Sequence, residues 1–126
     1  MKKILILLFL FAPYLANAQM WFKANGFYVA TEDITGKWQK CNIPVCLGED
    51  QKLTIYNQEI NTIRALSETE NCVEESGVSS IHWLAVDKNG RRCFVDIQSD
   101  RKSFIHLVIL FLDDDYAICY NLISDD

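Results

Sequence analysis

Two apolar runs near the end of the sequence constrain the fold more than any other feature. They occupy residues 104–112 and 116–123, and only the three aspartates at 113–115 separate them. β-Branched and aromatic runs joined by so short an acidic segment predict a β-hairpin whose turn faces water. His106 is the one polar residue of the first run. We therefore expect both sides of that strand to be covered, as in a small closed barrel or a sandwich.

The first 18 residues predict a secretory signal peptide. Two lysines follow Met1, residues 4–12 are an uninterrupted apolar run, and residues 16–18 read Ala-Asn-Ala. A positive start, a short apolar core and a small-residue cleavage motif are typical of such a peptide, and the core is too short to span a bilayer comfortably. We expect a signal peptide at 1–18 and a single secreted β-barrel-like domain at 19–126, either extracellular or periplasmic.

The net charge of the chain limits the classes of partner that it is expected to bind. The formal net charge is −5, and loss of the signal peptide would also remove two lysines. An acidic surface repels nucleic acid and anionic membranes, so neither is expected as a partner. A small hydrophobic molecule or a basic protein remains, although acidity alone also serves solubility.

Five cysteines lie in the predicted mature domain. They are Cys41, Cys46, Cys72, Cys93 and Cys119. In an oxidising compartment an odd number predicts two disulfides and one unpaired thiol, and the sequence does not choose among the possible pairings. The unpaired cysteine is either buried or joins two chains, so a monomer and a disulfide-linked dimer both stay open.

The clearest local turn is the Asn89-Gly90 pair between residues 81–87 and 91–99. Asn-Gly supplies the two positive-φ residues of a type I′ turn, which predicts a second hairpin. With the remaining apolar segments this gives about seven or eight short strands, the number typical of an all-β sandwich or barrel.

The middle of the chain is less regular. Residues 34–40 predict a strand with Trp38 buried on its inner face. Residues 42–51 hold a proline, a glycine and one cysteine, with a second cysteine directly before them at position 41, and predict a constrained loop. Residues 53–63 fit two short strands or one bent strand, while a helix over 59–70 is the weaker alternative.

No pattern in the chain indicates a reaction. The two histidines, His82 and His106, each lie inside an apolar strand, and neither has the cysteine spacing of a zinc site. The aspartates at 113–115 are preferred turn residues, and nothing near them would raise the pKa of one of the carboxyl groups for acid catalysis. We expect a binding protein and not an enzyme, with no catalytic residue, metal site or cofactor.

Two motifs carry a resemblance to a known family. Gly36-Lys37-Trp38 is similar to the G-x-W motif that opens the first barrel strand of lipocalins, and residues 113–120 resemble the acidic turn that leads into a late lipocalin strand. The resemblance implies an all-β fold, a small antiparallel up-and-down barrel, which the disulfides expected from the cysteine count would stabilise. It also implies that Trp38 closes the bottom of the barrel and that the open end admits a small hydrophobic molecule.

The resemblance covers roughly residues 34–123 and leaves out two family elements. The usual last strand and the C-terminal helix have no counterpart after Ile123. The barrel is then either closed by the apolar leader at residues 19–30 or left with an open edge.

The sequence leaves two functions open. The first is a lipocalin-like carrier or scavenger of a small hydrophobic ligand, although the residues expected to line its site would equally fill a packed core. The second is a secreted or periplasmic inhibitor or immunity protein that occludes a basic partner enzyme. The candidate ligand-binding residues are Ile55, Trp83, Phe94, Leu107 and Tyr120.

Overall fold

The structure is a computed structural model that describes residues 19–48, 51–73, 77–100 and 104–124. The expected signal peptide at residues 1–18 lies outside the described residues. The described residues contain no helix that is long and apolar enough to cross a membrane. The described strands are β1 Met20–Thr31, β2 Gln39–Leu47, β3 Leu53–Tyr56, β4 Ile60–Ala65, β5 Glu70–Val73, β6 Ser79–Val86, β7 Arg92–Ser99, β8 Ile105–Phe111 and β9 Tyr116–Ser124.

The strands form a closed antiparallel meander. Consecutive strands pair with each other except β4 and β5, β1 pairs with β9, and β4 pairs with β6. This ring of eight strands is an up-and-down barrel, and β5 pairs with the part of β6 that β4 does not reach. The predicted all-β barrel is confirmed, and it is compatible with a lipocalin-like architecture.

The apolar leader closes the ring. Its strand β1 pairs with β9 from Phe22 opposite Ser124 to Thr31 opposite Tyr116. The register shifts between Ala24 and Gly26, where Asn25 forms a β-bulge. The leader therefore supplies the barrel's closing strand, which removes the open edge that the sequence had left as an alternative.

The barrel interior is packed with apolar side chains. Along β6, β7 and β8 every second residue is buried, as the two-residue period of a strand requires. An eight-stranded barrel has an interior just wide enough for side chains to fill. The largest fully buried members are Trp83, Leu47, Leu53, Ile63, Ile105, Leu107 and Ile109.

The predicted hairpin of residues 104–123 is confirmed as β8 and β9. Leu112 to Asp115 form the turn, and Asp115 takes a positive φ of 52°. The expectation that both sides of the first strand are covered is wrong, because alternate residues of β8 lie on the outer wall of the barrel. Leu110, for example, is 38% exposed.

The Asn89-Gly90 hairpin is confirmed as β6 and β7, but its turn is not of type I′. Gly90 has a positive φ of 81° and Asn89 does not. The Gly90 N–H donates to the Asp87 carbonyl at 3.1 Å, and the Asp87 carboxylate accepts the N–H groups of Asn89 and Arg91 at 2.9 and 2.8 Å. The hairpin loop therefore consists of a turn followed by a glycine in the left-handed conformation, which is a common three-residue connection.

The prediction that Trp38 is buried at the bottom of the barrel is wrong. Trp38 is 51% exposed and lies on the outer wall, where its ring meets Tyr28 edge-on at 4.7 Å. Regular pairing of β2 begins only at Gln39. The preceding chain turns back against the end of β1, since the Thr31 N–H donates to the Ile34 carbonyl at 2.7 Å. Residues 42–47, predicted as a loop, belong instead to β2.

The prediction of stabilising disulfides is also wrong, because all five cysteines are described and all five are free. Cys41 and Cys46 lie five positions apart on one strand, a separation of about 16 Å. Cys93 and Cys119 lie on β7 and β9 with β8 between them. They are also offset along the strands, because Cys93 is opposite Phe111 and Cys119 is opposite Val108, so they lie farther apart than the about 9–10 Å that two strand spacings give. A disulfide needs Cα atoms about 4.4–6.8 Å apart. Cys72 is exposed on β5, and no cysteine is its register partner.

Burial also keeps most of these thiols unreactive. It raises the pKa of Cys41, Cys46 and Cys119. Burial, with the negative charge of Asp87 adding to it, raises the pKa of Cys93 to about 11. Because the thiolate is the species that oxidises, protonated buried thiols form disulfides slowly.

A tight backbone contact at Gly36 gives a stability test. The Gly36 N–H donates to the Val29 carbonyl at 2.8 Å, and an added Cβ would lie 2.7 Å from that same oxygen. We expect Gly36→Ala to lower the free energy of unfolding by about 1–3 kcal/mol, the usual cost of overpacking. Urea denaturation measures the change.

Gly48→Ala is the matched control. Its Cβ would make only ordinary contacts, at 3.7 Å to the Lys52 carbonyl and 3.8 Å to Gln19 Cγ. Both substitutions reduce the entropy of the unfolded chain alike, so the control is expected to keep or slightly raise stability. Equal stability of the two variants would contradict the close approach at Gly36.

Candidate functional site

A cavity of about 200 Å³ opens at one end of the barrel. It lies where the β3–β4, β6–β7 and β8–β9 turns come together, because antiparallel strands bring alternate turns to the same end. We call this cavity the mouth site. Its lining residues are Ile55, Asn57, Glu59, Asn61, Lys88, Asn89, Arg91, Phe111, Tyr116, Ile118 and Tyr120.

The floor of the mouth site is apolar. Ile55, Phe111 and Tyr120 are buried core residues, and Ile118 packs against that core. Burial, with smaller contributions from Cys41 and Tyr116, raises the pKa of Tyr120 to about 12. The phenol is therefore neutral at physiological pH, and the floor presents no charge to a ligand.

Arg91 organises the rim. Its Nε donates to Asp87 Oδ2 at 2.8 Å, and its Nη1 donates to the Tyr116 hydroxyl at 3.0 Å. The guanidinium also stacks over the Phe111 ring at 4.5 Å from the centroid, a favourable cation–π geometry. Arg91 thereby ties the β6–β7 turn to the beginning of β9 and to the floor.

Asp87 holds Arg91 in place from beneath. Its side chain has no exposed surface and accepts three hydrogen bonds from the backbone and side chain of the same turn. Burial alone would raise the pKa of Asp87, but these hydrogen bonds and the charge of Arg91 outweigh it and lower the pKa. The carboxylate is therefore ionised throughout the neutral range.

An exposed ion pair joins two turns of the rim. Lys88 Nζ donates to Glu59 Oε1 at 2.6 Å, linking the β6–β7 turn to the β3–β4 turn. This hydrogen bond and the charge of Lys88 lower the pKa of Glu59. Surface pairs of this kind contribute little to stability and separate readily. The pair can therefore open without unfolding the barrel.

Asn61 is the polar group of the mouth site that lacks a partner. It lies opposite Ile55 in the register of β3 and β4, on the inward side of β4 with Ile63. Its Oδ1 is buried and has no hydrogen-bond partner in the described part of the chain. Leaving a buried polar atom unpaired costs about 1–3 kcal/mol. A ligand that supplies a hydrogen bond recovers that cost.

The structure brings together only part of the site predicted from sequence. Ile55 and Tyr120 both line the mouth site. Trp83 and Leu107 lie in the packed centre of the barrel. Phe94 lies on the outer wall, between inward-facing neighbours on β7, with its ring 5.3 Å from that of His82.

Sequence reasoning missed Asn61 and Arg91. Asn61 could have been found, because the two-residue period of a strand places it on the same inward side as Ile63. An amide among inward-facing apolar residues is visible in the sequence. Arg91 carries no comparable signal, because its role depends on Asp87, Tyr116 and Phe111 meeting at one end of the closed barrel.

No family model, curated protein or solved structure matches the chain. Among the residues that the structure describes, no three His, Cys, Asp or Glu side chains are grouped so that they could hold a metal ion.

The low pKa of Asp87 gives a pH-dependent prediction. Because the folded pKa lies below the ordinary value of 3.8, the carboxylate stabilises the fold fully above that pH and less as the pH falls through the folded pKa. We expect Asp87→Asn to lower the free energy of unfolding at pH 7 by about 1–3 kcal/mol. The gap to the wild type should narrow below pH 3.8, as measured by urea denaturation across pH.

Asp113→Asn serves as the control. Asp113 also pairs with an arginine, Arg92, at 2.8 Å, but both side chains are more than half exposed. We expect little change in stability from this substitution at any pH. A gap between wild type and Asp87→Asn that stays constant from pH 7 to pH 2 would contradict an ionised, buried Asp87.

Proposed function

We propose that this protein is a secreted binding protein that holds one small amphipathic molecule in the mouth site. The observation that carries the proposal is the buried, unpaired Asn61 Oδ1 above an apolar floor. A side-chain amide both donates and accepts hydrogen bonds. The matching ligand has a hydroxyl or amide head and an apolar body.

The size of the cavity limits the ligand. Sites for drug-sized molecules measure about 300–1,000 Å³, whereas the mouth site measures about 200 Å³. The centre of the barrel below it is filled by side chains such as Trp83 and Leu107, both 2% exposed or less. A long acyl chain running down the barrel axis is therefore disfavoured, and a compact ring or short chain fits better.

The lipocalin resemblance supports the proposal at the level of architecture. A small apolar molecule held at the open end of an up-and-down barrel is the arrangement that the resemblance implies. The proposed role is that of a carrier or scavenger in the extracellular or periplasmic space. The mechanism is burial of the apolar body, at about 0.8 kcal/mol for each CH₂, with Asn61 and the Arg91 rim fixing the orientation.

Paired probes test the role of Asn61. p-Cresol and toluene have the same ring and methyl group, and only p-cresol carries a hydroxyl. We expect the wild type to bind p-cresol about tenfold more tightly than toluene, the effect of roughly one hydrogen bond. Asn61→Leu, which removes the amide at similar volume, should abolish that preference. Chemical-shift titration of the labelled protein measures both affinities.

Thr62→Val is the control for this experiment. It makes a similar polar-to-apolar change at the next position of β4, on the opposite face of the strand. We expect this variant to keep the preference for p-cresol. Equal affinities of the wild type for the two probes, or an unchanged preference in Asn61→Leu, would overturn the proposed site.

An apolar row on the outer wall favours a second candidate function, occlusion of a partner enzyme. Leu84, Phe94, Leu110 and Ala117 are direct cross-strand neighbours from β6 to β9. Leu84 and Leu110 are 44% and 38% exposed, and such contiguous apolar surface is typical of protein contacts. A stoichiometric enzyme complex that survives Asn61→Leu and is lost in Leu110→Lys would favour this function over ligand carriage.

A further inference from the structure

Four aromatic rings follow one another across the outer wall, away from the mouth site. Tyr28 meets Trp38 at a centroid distance of 4.7 Å, Trp38 meets His106 at 5.7 Å, and His106 meets Phe104 at 4.5 Å. We call this set the aromatic file. Trp38 is 51% exposed, and the other three side chains are partly buried. The aromatic file therefore presents one half-exposed ring, Trp38, that rests on partly buried neighbours.

The exposed indole is held in place by the backbone around it. Gly26 lies beneath Trp38, so close that an added Cβ would contact the indole Cε3 at 3.5 Å. Two residues before Trp38, the loop is tied to β1 by the hydrogen bond from Gly36 to Val29 at 2.8 Å. A ring fixed in this way loses little conformational entropy when a ligand covers it.

Amide groups flank the aromatic file. Asn121 Nδ2 donates to Asn25 Oδ1 at 2.7 Å, and the Asn121 side chain also hydrogen-bonds His106. Gln98 lies opposite His106 in the register of β7 and β8. These amides provide donors and acceptors beside the rings, without a formal charge.

The charges near Trp38 cancel. Lys37 and Lys40 lie on either side of it in the sequence, and Glu32 and Asp33 precede them in the same loop. Burial lowers the pKa of His106, although its hydrogen bond to Asn121 and the charge of Asp100 act in the opposite direction. The histidine is therefore mainly neutral at pH 7, and none of the four rings of the aromatic file carries a charge, although the Asp100 carboxylate accepts the Phe104 N–H at 3.1 Å.

We propose that the aromatic file binds a neutral oligosaccharide, with one sugar ring stacked on Trp38 and its hydroxyls paired with Asn25 and Asn121. A pyranose ring has a flat C–H face and a rim of hydroxyls. The flat face matches the polarised face of an indole, and the rim matches amides that donate and accept. This site is separate from the mouth site and does not depend on it.

Other ligands that stack on aromatic rings fit the surface less well. Single-stranded nucleic acid also uses such rings, but it requires a cationic groove. Residues 32–40 around Trp38 carry two acidic and two basic side chains and so no net charge, and the whole chain carries −5. A purely apolar partner would leave the Asn25 and Asn121 amides without new hydrogen bonds, a desolvation cost that sugar hydroxyls avoid.

Isothermal titration with two neutral probes, cellohexaose and chitohexaose hexaacetate, tests the proposal. We expect saturable binding of at least one probe, weakened at least about tenfold by Trp38→Ala. Asn121→Ala should weaken the same binding without abolishing it. Thermal unfolding of each variant confirms that the fold is retained, since Trp38 is half exposed and its loss leaves the core intact.

Trp21→Ala is the matched control. Trp21 is also exposed, at 40%, and also packs against a second ring, that of Tyr56 at 5.6 Å, but it lies elsewhere on the outer wall. We expect this variant to bind within about twofold of the wild type, a difference of roughly 0.4 kcal/mol. Failure of both probes to bind, or binding that Trp38→Ala leaves unchanged, overturns the proposal. Displacement of the sugar by p-cresol would also overturn it, because it would place the sugar in the mouth site.

Discussion

The pairing of β1 with β9 is the interaction on which the rest of the structure depends. It joins the first described strand to the last and turns a meander into a ring. A closed ring has no open edge between these strands to pair with other chains. Closure also fixes which residues face inward, because the side chains of each strand alternate between interior and wall. The bulge at Asn25 lets β1 keep apolar residues on the inward side both before it, at Ala24, and after it, at Phe27.

Once the ring is closed, its small radius determines where a ligand can lie. Eight strands enclose a space that side chains fill, and Trp83 with its neighbours fills it here. Free volume then remains at the end where the turns meet, above Ile55 and Phe111. The ion pair between the buried Asp87 and the partly exposed Arg91 fixes that end, and Asn61 supplies the polar group that a ligand can satisfy. The binding proposal thus follows from the packing of the barrel as much as from its open end.

Local sequence predicted the hairpins well, because alternating apolar residues and short turns decide them without distant contacts. The β8–β9 and β6–β7 pairs were readable for that reason. The position of Trp38 could not be predicted in this way. Its burial depends on whether strand pairing begins before or after Gln39, and contacts between the preceding loop and β1 determine where pairing begins. The prediction of disulfides was wrong for a similar reason. Five cysteines in a chain that the sequence predicts to be secreted indicate bridges, but the register keeps Cys93 and Cys119 a full strand apart.

The central claim is that a small amphipathic molecule occupies the mouth site. Intermolecular nuclear Overhauser effects between p-cresol and the methyl groups of the labelled protein test it most directly. The account predicts contacts from the cresol ring to Ile55 and Ile118, which line the cavity floor. Contacts confined to Leu84 and Leu110 on the outer wall would contradict it and would assign the binding surface to the apolar row instead.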